Sequence, residues 1–455
     1  MIQRWNGPGG YRDVLNIGLP LVASMASTTV MQFTDRVFLS TYSLDAIAAA
    51  LPAGIANFLL MTFFWGVINY VNVFVAQYTG AGKDEMVGVS LWQGIIFALV
   101  GGAVLACFWF PAEAFFNGAG HSPEVARLEI TYFRVLCLGS PLALLTVAMS
   151  SFYTGRGQTR PVMVTNIVGT LFNIPLDYVL INGLFGLPEM GIQGAGLATV
   201  ACWGLNTLFF TGLVFTKKNN QLYGVWRSRG FYLPVFKRLM KYGLPGGVQF
   251  FLEITAATFF VFMTGQLGKL ELTATNIAFS IESLAFLPMV GLHLAVTTLV
   301  GQSIGRAQVA EGERSVTSTL HLVFAYQICL ALLFVLAPEP LLALFRPKGL
   351  SPSEYSPIMD MGIVILRFIA VYILCQGLST VFCGAIKGAG DTRFVMWTLV
   401  AASTCAMIAP VYTAIHFFQA GLYTIWTLAT VYMAFLGITF YFRYRTGKWK
   451  SMKVI

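Results

Sequence analysis

The sequence predicts an all-α integral membrane protein with twelve transmembrane helices in two pseudo-symmetric six-helix bundles. Three observations carry this reading. The chain of 455 residues is 57% hydrophobic and only 10% charged, whereas a soluble globular chain carries about 25% charged residues. Cut at its charged or Pro/Gly-rich junctions, it yields twelve apolar runs, each long enough for a span of roughly 20 residues. Finally, the chain is written twice: Gly18-Leu19-Pro20 recurs as Gly243-Leu244-Pro245, and the same offset of 225 carries Gln77 onto Gln302 and Gly80 onto Gly305.

The first copy holds runs near 14–42, 46–79, 88–112, 128–155, 161–185 and 191–216. The second holds 237–267, 271–303, 315–337, 357–386, 394–418 and 421–443. Within them Gly155-Arg156-Gly157-Gln158-Thr159-Arg160 returns as Gly388-Ala389-Gly390-Asp391-Thr392-Arg393, Ala195-Gly196-Leu197 returns as Ala420-Gly421-Leu422, and Arg134 lands on Arg367. The expected organisation is a lobe at 1–216, a basic linker at 217–236, and a second lobe at 237–455 ending in a short basic tail.

Of the 28 Lys/Arg, all but Arg36, Arg127, Arg134, Lys269, Arg346, Lys348 and Arg367 fall in the termini and the even-to-odd loops. The positive-inside rule therefore places both termini in the cytoplasm. The richest stretch, from Lys217 to Lys241, reads as a juxtamembrane segment against anionic lipid, and no nucleic-acid partner is expected. The net charge of +9 is thus topology information. Residues 1–13 show no apolar core with a small-residue cleavage site, so the first span is expected to serve as the insertion signal.

The seven cysteines all fall inside apolar runs with no C-x-x-C spacing, and the four histidines form no H-E-x-x-H, so neither a disulfide frame nor a metal site is expected. Gly80-Ala81-Gly82-Lys83-Asp84 lacks the upstream glycine and the Ser/Thr of a Walker loop. Without a nucleophile–base or metal constellation an enzyme is not expected. A long apolar chain built from two copies of one half is instead the sequence form of a transporter, whose central site opens to either side in turn. With no nucleotide to drive it, and no cofactor, an ion gradient is the expected energy source.

Coupling to ions needs groups that take up a proton or cation within the membrane, where carboxylates are costly. Four stand out: Asp35, Asp177, Glu253 and Glu282. Glu253 lies midway along the seventh run and reads either as an ion or substrate-cation site or as a protonated structural acid. Glu282 lies deep in the eighth run, six residues before Pro288. Asp35 is followed by Arg36, which allows an ion pair near the far interface, yet Gln32, Thr28 and Thr29 give it a polar helical face suited to a wet cavity. Asn173 and Asp177 stand at i and i+4 on one helix face with Pro175 between them, although Asp177 could equally be a helix-end residue before Asn182-Gly183. Arg134 and Arg367 read as structural ties.

Several of these stretches resemble the multidrug and toxic compound extrusion (MATE) family. They are Gly18-Leu19-Pro20, Met31-Gln32-Phe33-Thr34-Asp35, Val75-Ala76-Gln77-Tyr78-Thr79-Gly80 with Val300-Gly301-Gln302-Ser303-Ile304-Gly305, Asn173-Ile174-Pro175-Leu176-Asp177, Gly194-Ala195-Gly196-Leu197-Ala198-Thr199 and Gly388-Ala389-Gly390-Asp391-Thr392-Arg393. The resemblance runs from about 14 to 443. It implies a twelve-span secondary transporter with two six-helix lobes around a V-shaped cavity, exporting cationic and amphipathic compounds in exchange for H⁺ or Na⁺. By the same resemblance Asp35, Asn173 and Asp177, with Thr199 as a fourth member, form an N-lobe proton or sodium site, and Glu253 matches a seventh-helix glutamate of a C-lobe cation site. Counting back from Gly384, the aspartate expected beside that glutamate is Gln376 here, which leaves one formal charge fewer to hold Na⁺. H⁺ coupling is therefore expected, with Na⁺ at Asp35, Asn173, Asp177 or Glu253 as the alternative.

A deep glutamate and many aromatics suit small organic cations or amphipathic drugs, through charge pairing and cation–π contacts. Glu253, Glu282, Gln376, Gln32, Phe279 and Phe286 are the candidate substrate contacts, with Phe58, Phe63 and Phe64 as further aromatics to test. A lipid-linked precursor flippase is the rival class, but only Arg36, Arg134 and Arg367 lie within the spans to meet phosphates. The expected setting is a monomer among lipids of a bacterial inner membrane.

Overall fold

The computed structural model describes residues 2–346 and 352–455; Lys348 lies outside them. The described residues form helices and no strands, and twelve of the helices are long and apolar enough to cross a bilayer. In the first repeat these are α1 (Tyr11–Tyr42), α2 (Leu44–Gly80), α3 (Asp84–Cys107), α4 (Pro123–Thr154), α5 (Arg160–Asn182) and α6 (Ile192–Val214). The second repeat supplies α7 (Leu233–Leu267), α8 (Lys269–Gly305), α9 (Val309–Leu336), α10 (Ser353–Ala389), α11 (Thr392–His416) and α12 (Leu422–Arg445). Each expected run coincides with one of them.

Local chemistry sets the ends. The Ser122 hydroxyl accepts from the Val125 N–H at 3.4 Å and Pro123 fills the first helical position, which together start α4. Gly183, at φ 67°, closes α5 in the left-handed conformation that a side chain disfavours. Inside α11, Ser403–Ile408 widens into a π-helix just ahead of Pro410, whose ring cannot continue the regular bonding. No periodicity in the sequence announced that widening.

The chain divides into two compact units. One comprises the described residues up to Val22 with those of Leu252–Lys453; the other comprises Ala23–Phe251 with Val454–Ile455. The divisions therefore fall inside α1 and α7, the repeat-equivalent first helices, and each of these helices contributes to both units.

The repeated glycines show what holds these helices in place. In the unit Ala23–Phe251, a Cβ on Gly66 of α2 would stand 2.6 Å from the Gly246 carbonyl oxygen and 2.7 Å from the Gly247 Cα of α7. A Cβ on Gly243 would stand 3.1 Å from Val67. In the other unit a Cβ on Gly291 of α8 would meet the Val22 nitrogen at 3.0 Å and the Gly18 oxygen at 3.1 Å of α1, and one on Gly18 would meet Leu292 at 3.0 Å. Gly18 and Gly243, Gly66 and Gly291, and Val67 and Leu292 are all related by the offset of 225. The Gly-Leu-Pro repeat thus marks two equivalent backbone-on-backbone helix crossings, one per unit, where only glycine lets the helices approach.

Candidate functional site

In the unit Ala23–Phe251 the structure brings together α1, α5 and α6. A Cβ on Gly194 of α6 would stand 2.7 Å from the Leu180 backbone of α5, so these two helices run in close contact. The Cys202 and Met31 sulfurs lie 3.8 Å apart between α6 and α1, and the Asn166 amide of α5 donates to the Ser24 hydroxyl of α1. Against this packing Asp35 is 8% exposed, and Asn173 and Asp177 are fully buried. Asp35 and Asp177 stand near enough for each to lie in the other's field. The i, i+4 spacing of Asn173 and Asp177 puts both on one side of α5.

Asp35 Oδ1, both carboxylate oxygens of Asp177, both amide atoms of Asn173 and the Thr199 hydroxyl of α6 are buried without a hydrogen-bond partner among the described residues. Buried polar atoms are normally satisfied, so a concentration of oxygen acceptors on these helices suits a proton or a small cation.

Arg36 is exposed and makes no salt bridge to Asp35 among the described residues. Asp177 is an interior residue of α5, and the helix end at Asn182 leaves it untouched. Gln32 is exposed, while Thr28 and Thr29 turn their hydroxyls onto the Ser24 and Met25 carbonyls of their own helix at 3.2 and 3.1 Å. Sequence reasoning missed Tyr132 of α4, which lies in the field of both Asp35 and Asp177. It also missed Glu129, fully buried and bonded to His121 Nδ1 at 2.8 Å across the start of α4. Nothing in spacing links Tyr132 to α1 and α5; Glu129 carried a signal, an acid in an apolar run eight residues after a histidine.

In the other unit the remaining candidates separate. Glu253 of α7 is exposed, with the Lys387 charge of α10 acting on it. Glu282 of α8 is half-buried and accepts from Gln376 Nε2 of α10 at 3.2 Å. The glutamine standing where the resemblance leads one to expect an acid beside Glu253 is therefore bonded to Glu282. Tyr372 of α10 lies in the field of Glu282 and Glu253, and the Tyr432 hydroxyl of α12 meets Ser403 Oγ of the π-helix at 3.2 Å.

Phe279 belongs to an aromatic cluster with Phe260 and Trp426, at centroid distances of 5.9 and 5.2 Å, whereas Phe286 is 43% exposed. Phe58 sets its edge against Trp65 and Phe250, and Phe63 against Phe64. Arg134 donates to the Trp109 carbonyl at 3.2 Å, pairs with Glu113 at 3.2 Å and covers the Trp109 ring at 4.3 Å, which makes it a tie to the segment after α3. Arg367 is exposed.

Twelve apolar helices in two equivalent sets, with carboxylates buried inside them, define a membrane transporter of the repeat-built class. The MatE family model matches residues 20–179 and 245–413, and the chain belongs to the MATE family. It is 29% identical over 397 residues to the multidrug resistance protein PmpM of Pseudomonas aeruginosa, covering 85% of this chain and 80% of that protein. Among solved structures it is similar to a MOP superfamily transporter from Pyrococcus furiosus (TM-score 0.87) and to an outward-facing multidrug resistance MATE family transporter (TM-score 0.88). Each of these two matches is 19% identical and covers 99% of both chains. They share the fold with this chain.

Proposed function

We propose that this protein exports cationic or amphipathic organic compounds in exchange for H⁺, by alternating access, in a bacterial inner membrane with both termini in the cytoplasm. The observation that carries the ion assignment is the burial of Asp35 and Asp177 in each other's field, with Asn173 on the same side of α5. Two neighbouring carboxylates in an apolar surrounding repel each other when both are charged, so the pair favours holding one proton. Loading that proton on the outer side and releasing it inside gives a cycle that needs no nucleotide and no resident cofactor. Thr199 and Asn173 contribute further oxygen atoms, and these favour Na⁺ as the second reading.

The test is efflux of a fluorescent organic cation from proteoliposomes of the purified protein, under an imposed pH gradient or an imposed Na⁺ gradient. Efflux that follows the pH gradient is expected. Efflux that follows only Na⁺ would replace the proton with sodium, and no efflux under either gradient would overturn the exporter reading in favour of a flippase.

For the cargo, Glu253 supplies the formal charge and Glu282 with Gln376 a second polar group, on α8 and α10. Glu253→Gln is expected to raise the Kd of a fluorescent cation by about fivefold, the factor that corresponds to an exposed charge pair of about 1 kcal/mol. Equilibrium fluorescence titration measures this, and an unchanged Kd would remove Glu253 from the substrate contacts.

A further inference from the structure

The segment before α1 is fastened to α9. Gly9 N–H donates to Asp13 Oδ2 at 2.9 Å, Ser318 Oγ donates to the Gly9 carbonyl at 3.0 Å, Arg314 donates to the Pro8 carbonyl at 3.4 Å, and the Tyr11 hydroxyl meets His321 Nδ1 at 2.8 Å. Gly9 sits at φ 72°, and a Cβ there would lie 2.5 Å from the Glu311 oxygen, so the contact admits no side chain. These bonds seat the short helix Ile2–Asn6 beside the first turns of α9. Between them lies an open cavity of about 610 Å³ lined by Arg4, Glu313, Arg314 and Thr317.

The charges in and around this cavity do not cancel. Glu313 is paired with Lys450, and Glu311 with Arg306 at 3.4 Å. Arg4 and Arg314 have no carboxylate within salt-bridge distance among the described residues. Two guanidinium groups therefore line the cavity with no carboxylate paired to either, and its one carboxylate, Glu313, is taken by Lys450.

The candidate spans α1 and α9 begin at Tyr11 and Val309, a few residues from the lining, which would set the cavity at headgroup depth. Trp5, on the same short helix, is 49% exposed with its ring 5.8 Å from that of Tyr11, an aromatic pairing suited to the membrane–water interface.

We propose that this cavity binds the phosphate headgroup of an anionic phospholipid, from the leaflet in which the N-terminal segment sits. Arg4 and Arg314 grip the phosphate with their forked donors, and Trp5 lies along the glycerol and upper acyl region. A free phosphate would meet the arginines but leave the exposed part of the Trp5 ring in water, which is why a lipid is the assigned source.

Native mass spectrometry of the full chain, titrated with phosphatidylglycerol and with phosphatidylcholine, tests this. Each arginine near an anionic headgroup contributes about fivefold in affinity. Wild type should prefer phosphatidylglycerol by about 25-fold, Arg4→Gln by about fivefold, and Arg4→Gln with Arg314→Gln should show no preference. The single variant guards against misfolding, because Arg314 also holds Pro8. Arg227→Gln with Arg229→Gln, in the basic linker, should retain the full preference. Equal affinity of wild type for both lipids, or a preference that survives in the double variant, would overturn the site. Displacement of bound phosphatidylglycerol by millimolar inorganic phosphate would overturn the lipid as its source.

Discussion

Asp35→Asn is expected to reduce efflux driven by a pH gradient to the rate of protein-free vesicles, while the protein stays folded. Asparagine has nearly the shape of aspartate, so the packing of α1 on α5 and α6 survives. What it lacks is a proton to exchange, and without that exchange the gradient cannot be coupled to the cargo. Arg36→Gln is the matching control, because Arg36 is exposed and makes no salt bridge to Asp35 among the described residues. Flux in the same vesicles measures both variants, and a thermal melt in detergent confirms the fold of each. Undiminished pH-driven efflux in Asp35→Asn would remove the Asp35–Asp177 pair from coupling.

Gly66→Val carries the largest expected effect on stability. The first added atom would stand 2.6 Å from a backbone oxygen of α7, and backbone cannot swing aside as a flexible side chain can. Overpacking of this kind costs about 1–3 kcal/mol or more, so a sharp fall in melting temperature and in yield of monodisperse protein is expected. Gly291→Val, its repeat equivalent on α8, should behave alike because it would press on the Val22 nitrogen and the Gly18 oxygen. Gly212→Ala, with nothing within 4 Å of the new Cβ, should leave the melt unchanged or slightly raised. A Gly66→Val protein that melts with wild type would show that the α2–α7 contact is not a tight crossing.

The features that were legible in the sequence are those that need only a run or a period. Twelve spans follow from uninterrupted apolar length, and the shared face of Asn173 and Asp177 follows from a spacing of four. The meeting of Asp35 with Asp177 is different in kind, because two residues 142 positions apart come together only when α1 packs on α5; the resemblance supplied that contact, and no periodicity could. Tyr132 stayed invisible for the same reason. Position along α10 points Gln376 toward Glu253, whereas side-chain reach across to α8 gives it Glu282 as its partner. In the sequence the Gly-Leu-Pro repeat is a sign of duplication; its physical cause, a backbone contact with another helix, needs the fold.

The crossings of α1 and α7 also bear on how the chain is made. The glycine face of α2 at Gly66 is covered by Gly246 and Gly247, residues that follow the whole first repeat in the chain. When six spans have left the ribosome, that face is still bare, and lipid tails or an insertion chaperone must cover it until the start of α7 enters the membrane. The second repeat carries no such delay, since the piece of α1 that it borrows, up to Val22, was synthesised first. Two halves that are equivalent by symmetry are therefore unequal in time, and the first is a folding intermediate for as long as translation of the basic linker and α7 takes.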